Sequence, residues 1–218
     1  MSDIALLQLG HLIFFVYWLG GDLGVFYSSF YLTDAALSVE SRGTAAKIML
    51  ALDQAPRVSM TLILPFGIHL AWALGVLAVP GAVIAVAWLV CLGWLAMVLL
   101  LHFGKPPAWL ARFDFWFRIA MIAVLASAAL EGLSRGNLVT APWAAAKLAI
   151  FAAMVACGLI IRVNLKPFGP AFGALMTSGP TPEVNQAIAA SLARCRPFVL
   201  AIWVGLVVNA MQGLHLIG

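Results

Sequence analysis

Long apolar stretches separated by short polar segments divide this chain into six predicted membrane-spanning helices. About twenty apolar residues are enough for an α-helix to cross the ~30 Å hydrocarbon core of a bilayer. The apolar stretches cover residues 4–32, 57–79, 82–103, 115–133, 143–161 and 197–217. They are too long, and alternate too weakly, for the ~10-residue strands of a membrane barrel. The pattern therefore predicts an all-α, polytopic helix bundle that forms a single domain over residues 1–218.

The polar segments between the predicted spans contain two patterns typical of short helices. Residues 44–52 are predicted to form a surface helix, and residues 181–194, within the longest loop, an interfacial helix. The Thr-Pro-Glu sequence that starts at Thr181 suits a helix N-terminus. Residues 104–115 are expected to form a loop, and Pro65 is expected to kink the second span by freeing the carbonyl of Thr61.

The composition excludes an ordinary soluble protein. Hydrophobic residues make up 64% of the chain and charged residues 9%, whereas soluble domains contain about 25% charged residues. The first apolar stretch carries His11 and Asp22 and lacks a basic segment before it. We therefore interpret it as a retained span rather than a cleaved signal peptide.

The lysines and arginines are distributed unequally between the two ends of the predicted spans. Only Arg135 and Lys147 lie toward one side, and the other ten lie toward the opposite side. Positively charged loops remain in the cytoplasm. The bias predicts cytoplasmic long loops and, with six spans, extracytoplasmic termini. The net charge of +4 thus reflects topology rather than nucleic-acid binding.

Two histidines lie within predicted neighbouring spans, and they are the first candidates for binding a cofactor. His11 and His69 are expected at similar depth in the outer half of the bundle, on antiparallel helices. Imidazoles ligate haem iron, and bundle cores are a usual place for cofactors. We predict that both ligate one b-type haem, with Trp18 and Trp72 beside them. The alternative is that the histidines and tryptophans serve only in packing.

Two further ionisable residues are candidates for catalysis because charged groups within spans are costly and usually functional. Asp22 is expected to act as a proton relay or to contact substrate, with Arg57 as the nearest basic residue. Lys147 is a candidate both for catalysis and for holding the cofactor. It could pair with Glu131 or with a haem propionate, or extend to the outer surface. His215 and Lys147 are alternatives to His69 as the second ligand, whereas His102 lies at the opposite, cytoplasmic end.

Sulfur-containing residues give no sign of a metal site. Cys91, Cys157 and Cys195 stand apart without CxxC spacing, and the methionines are scattered. The pattern supports neither a disulfide framework nor a relay of soft copper ligands.

Two stretches resemble a known superfamily. They are HLIFFVYWLGG, from His11 to Gly21, and WAAAKLAIFAAM, from Trp143 to Met154. They resemble the superfamily of HemJ-type membrane protoporphyrinogen IX oxidases and CopD-type copper-resistance proteins. The resemblance implies, on the HemJ side, b-haem with His11 as a ligand and Lys147 as an essential residue. On the CopD side it implies copper handling across the bacterial inner membrane.

The sequence as a whole predicts a multi-pass protein of the bacterial inner membrane that binds one b-type haem. Its function would be electron transfer or oxidation of a porphyrinogen or quinol. A copper transport or resistance protein that uses the same histidines is the first alternative. The second is a non-catalytic anchor for a redox partner subunit, since no soluble domain is predicted. A homo-oligomer is also compatible with the pattern.

Overall fold

The computed structural model describes residues 3–217, and this part of the chain is almost entirely helical. Its eight helices are α1 Asp3–Thr33, α2 Val39–Leu52, α3 Gln54–Ala73, α4 Gly81–Phe103, α5 Ala108–Ser134, α6 Pro142–Asn164, α7 Phe168–Ser178 and α8 Pro182–Gly213. The one β-type pairing among these residues is an isolated antiparallel bridge between Leu77 and Val139. The predicted all-α class is confirmed.

Five of these helices, α1, α4, α5, α6 and α8, are long and apolar enough to cross a membrane. Large apolar side chains on their outer surfaces, such as Leu89, Leu130 and Val204, are each more than 60% exposed. Lipid contact explains this exposure, since neighbouring lipid tails are as apolar as these side chains. A multi-pass helical membrane protein is therefore confirmed. The 20-residue helix α3 is not among the five, and it carries the polar residues Gln54, Arg57 and His69.

Helix α3 nevertheless lies antiparallel along α1. A Cβ atom on Gly21 would lie 2.7 Å from Pro56, and one on Gly10 would lie 2.3 Å from the Phe66 ring. The two glycines thus let α1 approach α3 closely near both ends of their contact, as small residues do between membrane helices. The deepest part of the bundle joins α1, α3, α4, α5, α6 and α8 around Trp18, Trp94 and Val155.

The predicted second span ends earlier than expected. Helix α3 continues through Pro65 but stops at Ala73 rather than at residue 79. Gly75 then adopts a positive φ of 72°, a conformation that favours glycine. The following segment pairs with the loop between α5 and α6, where Ala78 donates to the Leu138 carbonyl at 2.9 Å and Thr140 to the Val76 carbonyl at 2.9 Å. Tertiary pairing of the two loops therefore replaces the last helical turns.

Two further boundaries were predicted wrongly. The segment assigned to a loop over residues 104–115 is helical from Ala108 onward, because Pro107 starts α5 and the polar side chains that follow are paired inside the protein. Residues 181–194 do not form a separate interfacial helix, since α8 runs unbroken through Pro197. Residues on both sides of Pro197, including Ile188 and Leu206, are buried. This packing outweighs the ~3 kcal/mol cost of an interior proline.

Helices α1 and α8 are longer than a bilayer core requires, and their ends belong to a small second layer that we call the cap. They contain 31 and 32 residues, which is about 46–48 Å at ~1.5 Å per residue. The cap consists of α2, α7 and the adjoining ends of α1 and α8, around the apolar residues Leu32, Ala46, Met49, Leu175, Ile188 and Leu192. The surface helix predicted at residues 44–52 is thus the C-terminal part of α2, and one of its faces is buried.

Arg42 joins the cap to both long helices. Its residue surface is only 1% exposed. Its Nε donates to the carbonyl of Leu32 at 3.0 Å, and its terminal nitrogen donates to Asn185 Oδ1 at 2.8 Å. Burial lowers the pKa of the Arg42 guanidinium from its ordinary value, while Asp34 opposes this shift. An arginine remains charged even so, and we expect it to fix the position of α2.

Candidate functional site

His11 lies between α1 and α3 with one ring nitrogen already engaged. Its Nδ1 is 3.0 Å from the carbonyl oxygen of Ile63. A carbonyl only accepts, so Nδ1 must carry the proton, and the Nε2 of the neutral ring keeps its lone pair. Metal-ligating histidines usually have this arrangement, in which a backbone carbonyl fixes the tautomer and the ring orientation.

Gly67 makes room for this imidazole. A Cβ atom at that position would lie 2.9 Å from His11 Cε1 and 3.3 Å from Nδ1. The absence of a side chain on Gly67 therefore sets how closely the ring approaches α3.

We expect Gly67→Ala to displace the imidazole and to weaken any ligand bound to Nε2, while the fold is kept. Alanine has a higher helix propensity than glycine by about 1 kcal/mol, so the helix itself should not suffer. The measurements are ligand content and thermal stability. Gly20→Ala is the matched control, since no atom lies within 4 Å of a Cβ there. Equal ligand content in the two variants would show that the position of the ring does not matter.

Lys147 lies on α6, and its ammonium is next to Trp143 and the Gly213 position of α8. Its ammonium is close enough for its charge to act on the His11 imidazole. A Cβ atom on Gly213 of α8 would lie only 2.8 Å from Lys147 Nζ. The ammonium also lies 5.8 Å from the centre of the Trp143 ring. Among residues 3–217 no acid forms a salt bridge with it.

Two amides of α8 lie near Lys147 and were not assigned a role from the sequence. Asn209 Nδ2 donates to the Lys147 carbonyl at 3.4 Å. The Oδ1 of Asn209 and the Oε1 of Gln212 are both buried without a hydrogen-bond partner in the described part of the chain. Positions 209, 212 and 213 lie on one face of a helix at ~100° per residue. A polar pair at i, i+3 within an apolar span is the signal that would have identified this face.

Glu131 is not the partner of Lys147. Its two carboxylate oxygens accept from the backbone nitrogens of Asn137 and Leu138, at 3.0 and 2.9 Å. Glu131 thus closes the loop after α5. A membrane-embedded ammonium without an acid leaves a positive charge for a bound ligand to balance.

His69 has its own partner on α4. His69 Nδ1 accepts from the indole of Trp88 on α4 at 3.3 Å, and its ring lies 5.9 Å from that of Trp72. Because α3 ends at Ala73, His69 is only four residues from the outer end of its helix, about 6 Å. His11 instead lies level with the middle of α3, beside Ile63 and Gly67. His69 lies two residues beyond Gly67, about 3 Å along α3, so the ligation of one haem by both histidines stays a prediction.

The other predicted cofactor residues also have their own contacts. Trp18 is 3% exposed and meets Phe151 of α6 edge-on, with ring centres 5.8 Å apart. Trp72 is 39% exposed and donates to the carbonyl of Val79 at 3.0 Å, in the loop between α3 and α4. His215 lies just beyond α8, against Trp143 at 5.2 Å. Of the predicted cofactor residues, His11 and Lys147 are within electrostatic range of each other.

Asp22 lies one helical turn beyond Trp18, in a polar region at the cap end of the bundle. The Trp18 side chain, Asp53 and Arg57 are all close enough to act on its carboxyl group. Arg57 is itself paired with Asp53 at 2.6 Å. Arg57 is therefore near Asp22, as predicted from the sequence, but its principal partner is Asp53.

We expect Asp22→Asn to preserve folding and ligand content and to impair turnover or proton coupling, because the amide cannot exchange a proton at that position. The measurements are thermal stability, ligand content and turnover in one preparation. Asp34→Asn, in an exposed loop, is the control. If turnover is unchanged and only stability falls, Asp22 is a packing residue.

A second buried polar group was missed by the sequence analysis. Asp114, 1% exposed, is bonded by Arg118 Nε at 3.1 Å and by Arg162 at 2.5 Å. Arg118 also lies over the Trp94 ring at 5.2 Å, and Arg162 donates to the Ala111 carbonyl at 3.0 Å. We call Asp114, Arg118 and Arg162 the Asp114 network. The four-residue spacing of Asp114 and Arg118 on a helix was the available signal.

Within residues 3–217, no group of three or more histidine, cysteine, aspartate or glutamate side chains could hold a metal ion. The three cysteines are free, and Cys91 and Cys195 are buried.

Comparison of the chain with family models, with curated proteins and with solved structures gave no match in any of the three.

Proposed function

We propose that this chain is a multi-pass protein of the bacterial inner membrane that binds one b-type haem at His11 and has a redox role. That role would be electron transfer or oxidation of a porphyrinogen or quinol. The resemblance of the His11 and Lys147 stretches supports the proposal. So does the convergence of these two residues in one part of the bundle.

The observation that carries the proposal is that two complementary groups lie at this site, an imidazole that can bind a metal and an ammonium that can bind an anion. His11 has its Nδ1 fixed by the Ile63 carbonyl, so Nε2 is the ring atom available to iron. Lys147 offers a positive charge with no acid paired to it in the described residues. A ligand that combines a metal centre with carboxylates satisfies both groups, and haem with its propionates is such a ligand.

Each residue would have a defined task. His11 would hold the iron, and its bond to Ile63 would keep the ring oriented and raise its basicity. Lys147 would hold a carboxylate, and the unpartnered amide oxygens of Asn209 and Gln212 would accept hydrogen bonds from a protonated group of the ligand. When bound, haem supplies one-electron chemistry that no side chain here provides. The identity of the second axial ligand, among His69, His215 and Lys147, stays a prediction.

The same geometry is less suited to copper transport. A positively charged lysine beside the site repels a bare cation, and soft ligands are not assembled there. The sulfur of Met60 accepts from Arg118 of the Asp114 network at 3.9 Å. We therefore expect copper handling only if the purified protein does not bind haem.

The test is the absorption spectrum of the purified full chain, expressed with an ample supply of haem. We expect a Soret band and, on reduction, sharp α and β bands if two nitrogen ligands bind. A preparation with no Soret absorption that binds copper stoichiometrically would replace the haem proposal with copper handling.

We further propose that α3 is the sixth span, so that both ends of the chain lie outside the cytoplasm. Helix α3 is 20 residues long, about 30 Å, and its neighbours α1 and α4 are both candidate spans. The contacts of Gly10 and Gly21 run along most of its length. Two of its polar residues also have partners, Trp88 for His69 and Asp53 for Arg57. Helix α3 is less apolar than its neighbours, and this composition is compatible with a span that other helices shield from lipid.

A reporter fused after Gly218, which lies outside the described residues, is expected to be active on the extracytoplasmic side. The physical reason is the ten-to-two bias of basic residues together with six crossings. A second reporter inserted after Ala36, in the loop before the cap, should give the cytoplasmic signal. If both reporters give the same signal, α3 does not cross the membrane.

A further inference from the structure

A small polar cavity lies where the first turn of α3 meets the last turn of α4, at the predicted cytoplasmic end. Its volume is about 120 Å³, and its polar lining consists of Asp53, Gln54, Arg57 and His102. None of these residues belongs to the His11 site. His102 faces the cavity at the end of α4, with the Phe103 ring edge-on at 4.4 Å.

The charges of this cavity are already paired. Arg57 donates from Nε to Asp53 at 2.6 Å, and its terminal nitrogen lies 2.6 Å from the same carboxylate oxygen. The guanidinium is therefore engaged and does not offer a free cation for a phosphate group. The cavity therefore has no unpaired positive charge that could bind an anionic headgroup. A neutral polar headgroup does not need such a charge.

Gln54 supplies an unsatisfied acceptor. Its Oε1 is buried and has no hydrogen-bond partner among the described residues. Buried polar atoms of this kind usually bind a protein group, water or ligand. The partner that it lacks is a donor, such as a hydroxyl group.

An apolar groove begins on the other side of Gln54. It has a volume of about 410 Å³ and is lined by Phe14 and Tyr17 of α1, Val58 of α3, and Leu99 and Phe103 of α4. Ile13, Tyr17 and Phe103 expose more than 40% of their surfaces, outside the bundle, where lipid tails lie. Gln54 lines both spaces, so one amphiphilic molecule can occupy the two.

We infer that these two spaces form a binding site for a membrane quinol. One ring hydroxyl donates to Gln54 Oε1, the other faces His102 and Asp53, and the isoprenoid tail lies in the groove against Phe14 and Leu99. A zwitterionic phospholipid fits less well, because its phosphate needs the cation that Asp53 already holds. The inference rests on the proposed redox function, since it names the substrate class of that function. Binding of the quinol does not itself require haem.

The test uses a short-chain azido-quinone that forms a covalent bond on illumination, with the full chain in phosphatidylcholine nanodiscs. We expect the label on peptides that contain residues 54–57 or 98–103, and we expect decylubiquinol to compete for it. Labelling elsewhere only, or labelling that decylubiquinol does not reduce, would overturn the site. Displacement by phosphatidylethanolamine but not by decylubiquinol would show a lipid headgroup site instead.

Two variants make the test specific. Gln54→Leu removes the acceptor at nearly constant volume, and His102→Leu removes the second polar contact. Each is expected to lower labelling at least tenfold at sub-saturating probe. Gln186→Leu, at an exposed position of α8, should leave labelling unchanged. Wild-type labelling of the two cavity variants would overturn the inference.

The same labelling experiment on the His11→Ala variant tests the quinol site independently of the haem proposal. Labelling that persists without haem supports the quinol site whatever the fate of the haem proposal. Labelling that is lost from a folded His11→Ala protein would contradict a separate site between α3 and α4.

Discussion

Replacement of His11 by alanine is expected to abolish the Soret band of this protein. The only ring nitrogen of His11 free to bind iron is Nε2, because Nδ1 is held by Ile63 at 3.0 Å. Without this ligand, iron would lose the imidazole that the Ile63 carbonyl holds in position. We expect haem content to fall at least tenfold in protein that is folded by size-exclusion chromatography and thermal melting. His11→Gly should regain a Soret band when imidazole is added, which a merely destabilised protein would not do.

Matched variants assign the remaining roles. His102→Ala should keep the haem spectrum, since His102 lies at the cavity near the cap end of the bundle. Lys147→Met keeps the length of the side chain without its charge and should weaken haem retention. His69→Ala identifies the second ligand, because loss of a low-spin spectrum would assign it to His69, and an unchanged spectrum would assign it to His215 or Lys147. An unchanged spectrum in His11→Ala would contradict the site itself.

The largest loss of stability is expected from Asp114→Ala. Asp114 is 1% exposed and holds both Arg118 and Arg162. Removing one member of a buried ion pair leaves an uncompensated charge and costs ~3–5 kcal/mol. We therefore expect little folded protein, or a strongly lowered melting temperature in detergent.

The Asp53–Arg57 pair provides the control for this prediction. It has the same i, i+4 spacing, but its side chains are 25% and 48% exposed, and exposed pairs contribute only about 0–1 kcal/mol. Asp53→Ala should therefore be mild. Replacing Asp114, Arg118 and Arg162 together by apolar residues of similar volume should restore much of the stability. If Asp114→Ala and Asp53→Ala melt alike, the Asp114 network is not buried as described.

Much of the fold could be predicted from the sequence because apolar length is a strong signal. The first, third and fifth apolar stretches match α1, α4 and α6 within a few residues. The boundaries that failed depend on partners distant in the chain. Helix α8 continues through Pro197 because both sides of it are buried. Helix α3 stops early because the loop after it pairs with the loop around Leu138.

The site could be predicted only in part, for a related reason. An ionisable residue is easily seen within an apolar stretch, so His11, Asp22 and Lys147 could be recognised as candidate site residues. Which side chains meet is set by helix rotation, and the sequence pattern does not give that angle. His69 was paired with His11 by depth alone, yet it faces Trp88. Asn209 and Gln212 were visible as polar residues, but only their location beside Lys147 gives them a role.

The contacts of Arg42 have a consequence for biosynthesis. Arg42 and its partner Asn185 are separated by 143 residues, and ribosomes add about 5–20 residues per second, so the partner follows after roughly 7–30 s. During that interval the guanidinium must remain hydrated, and the apolar face of α2 has no α8 to cover it. The cap therefore completes its assembly only when α8 has been made, and until then α2 is held in place mainly by its packing against α1.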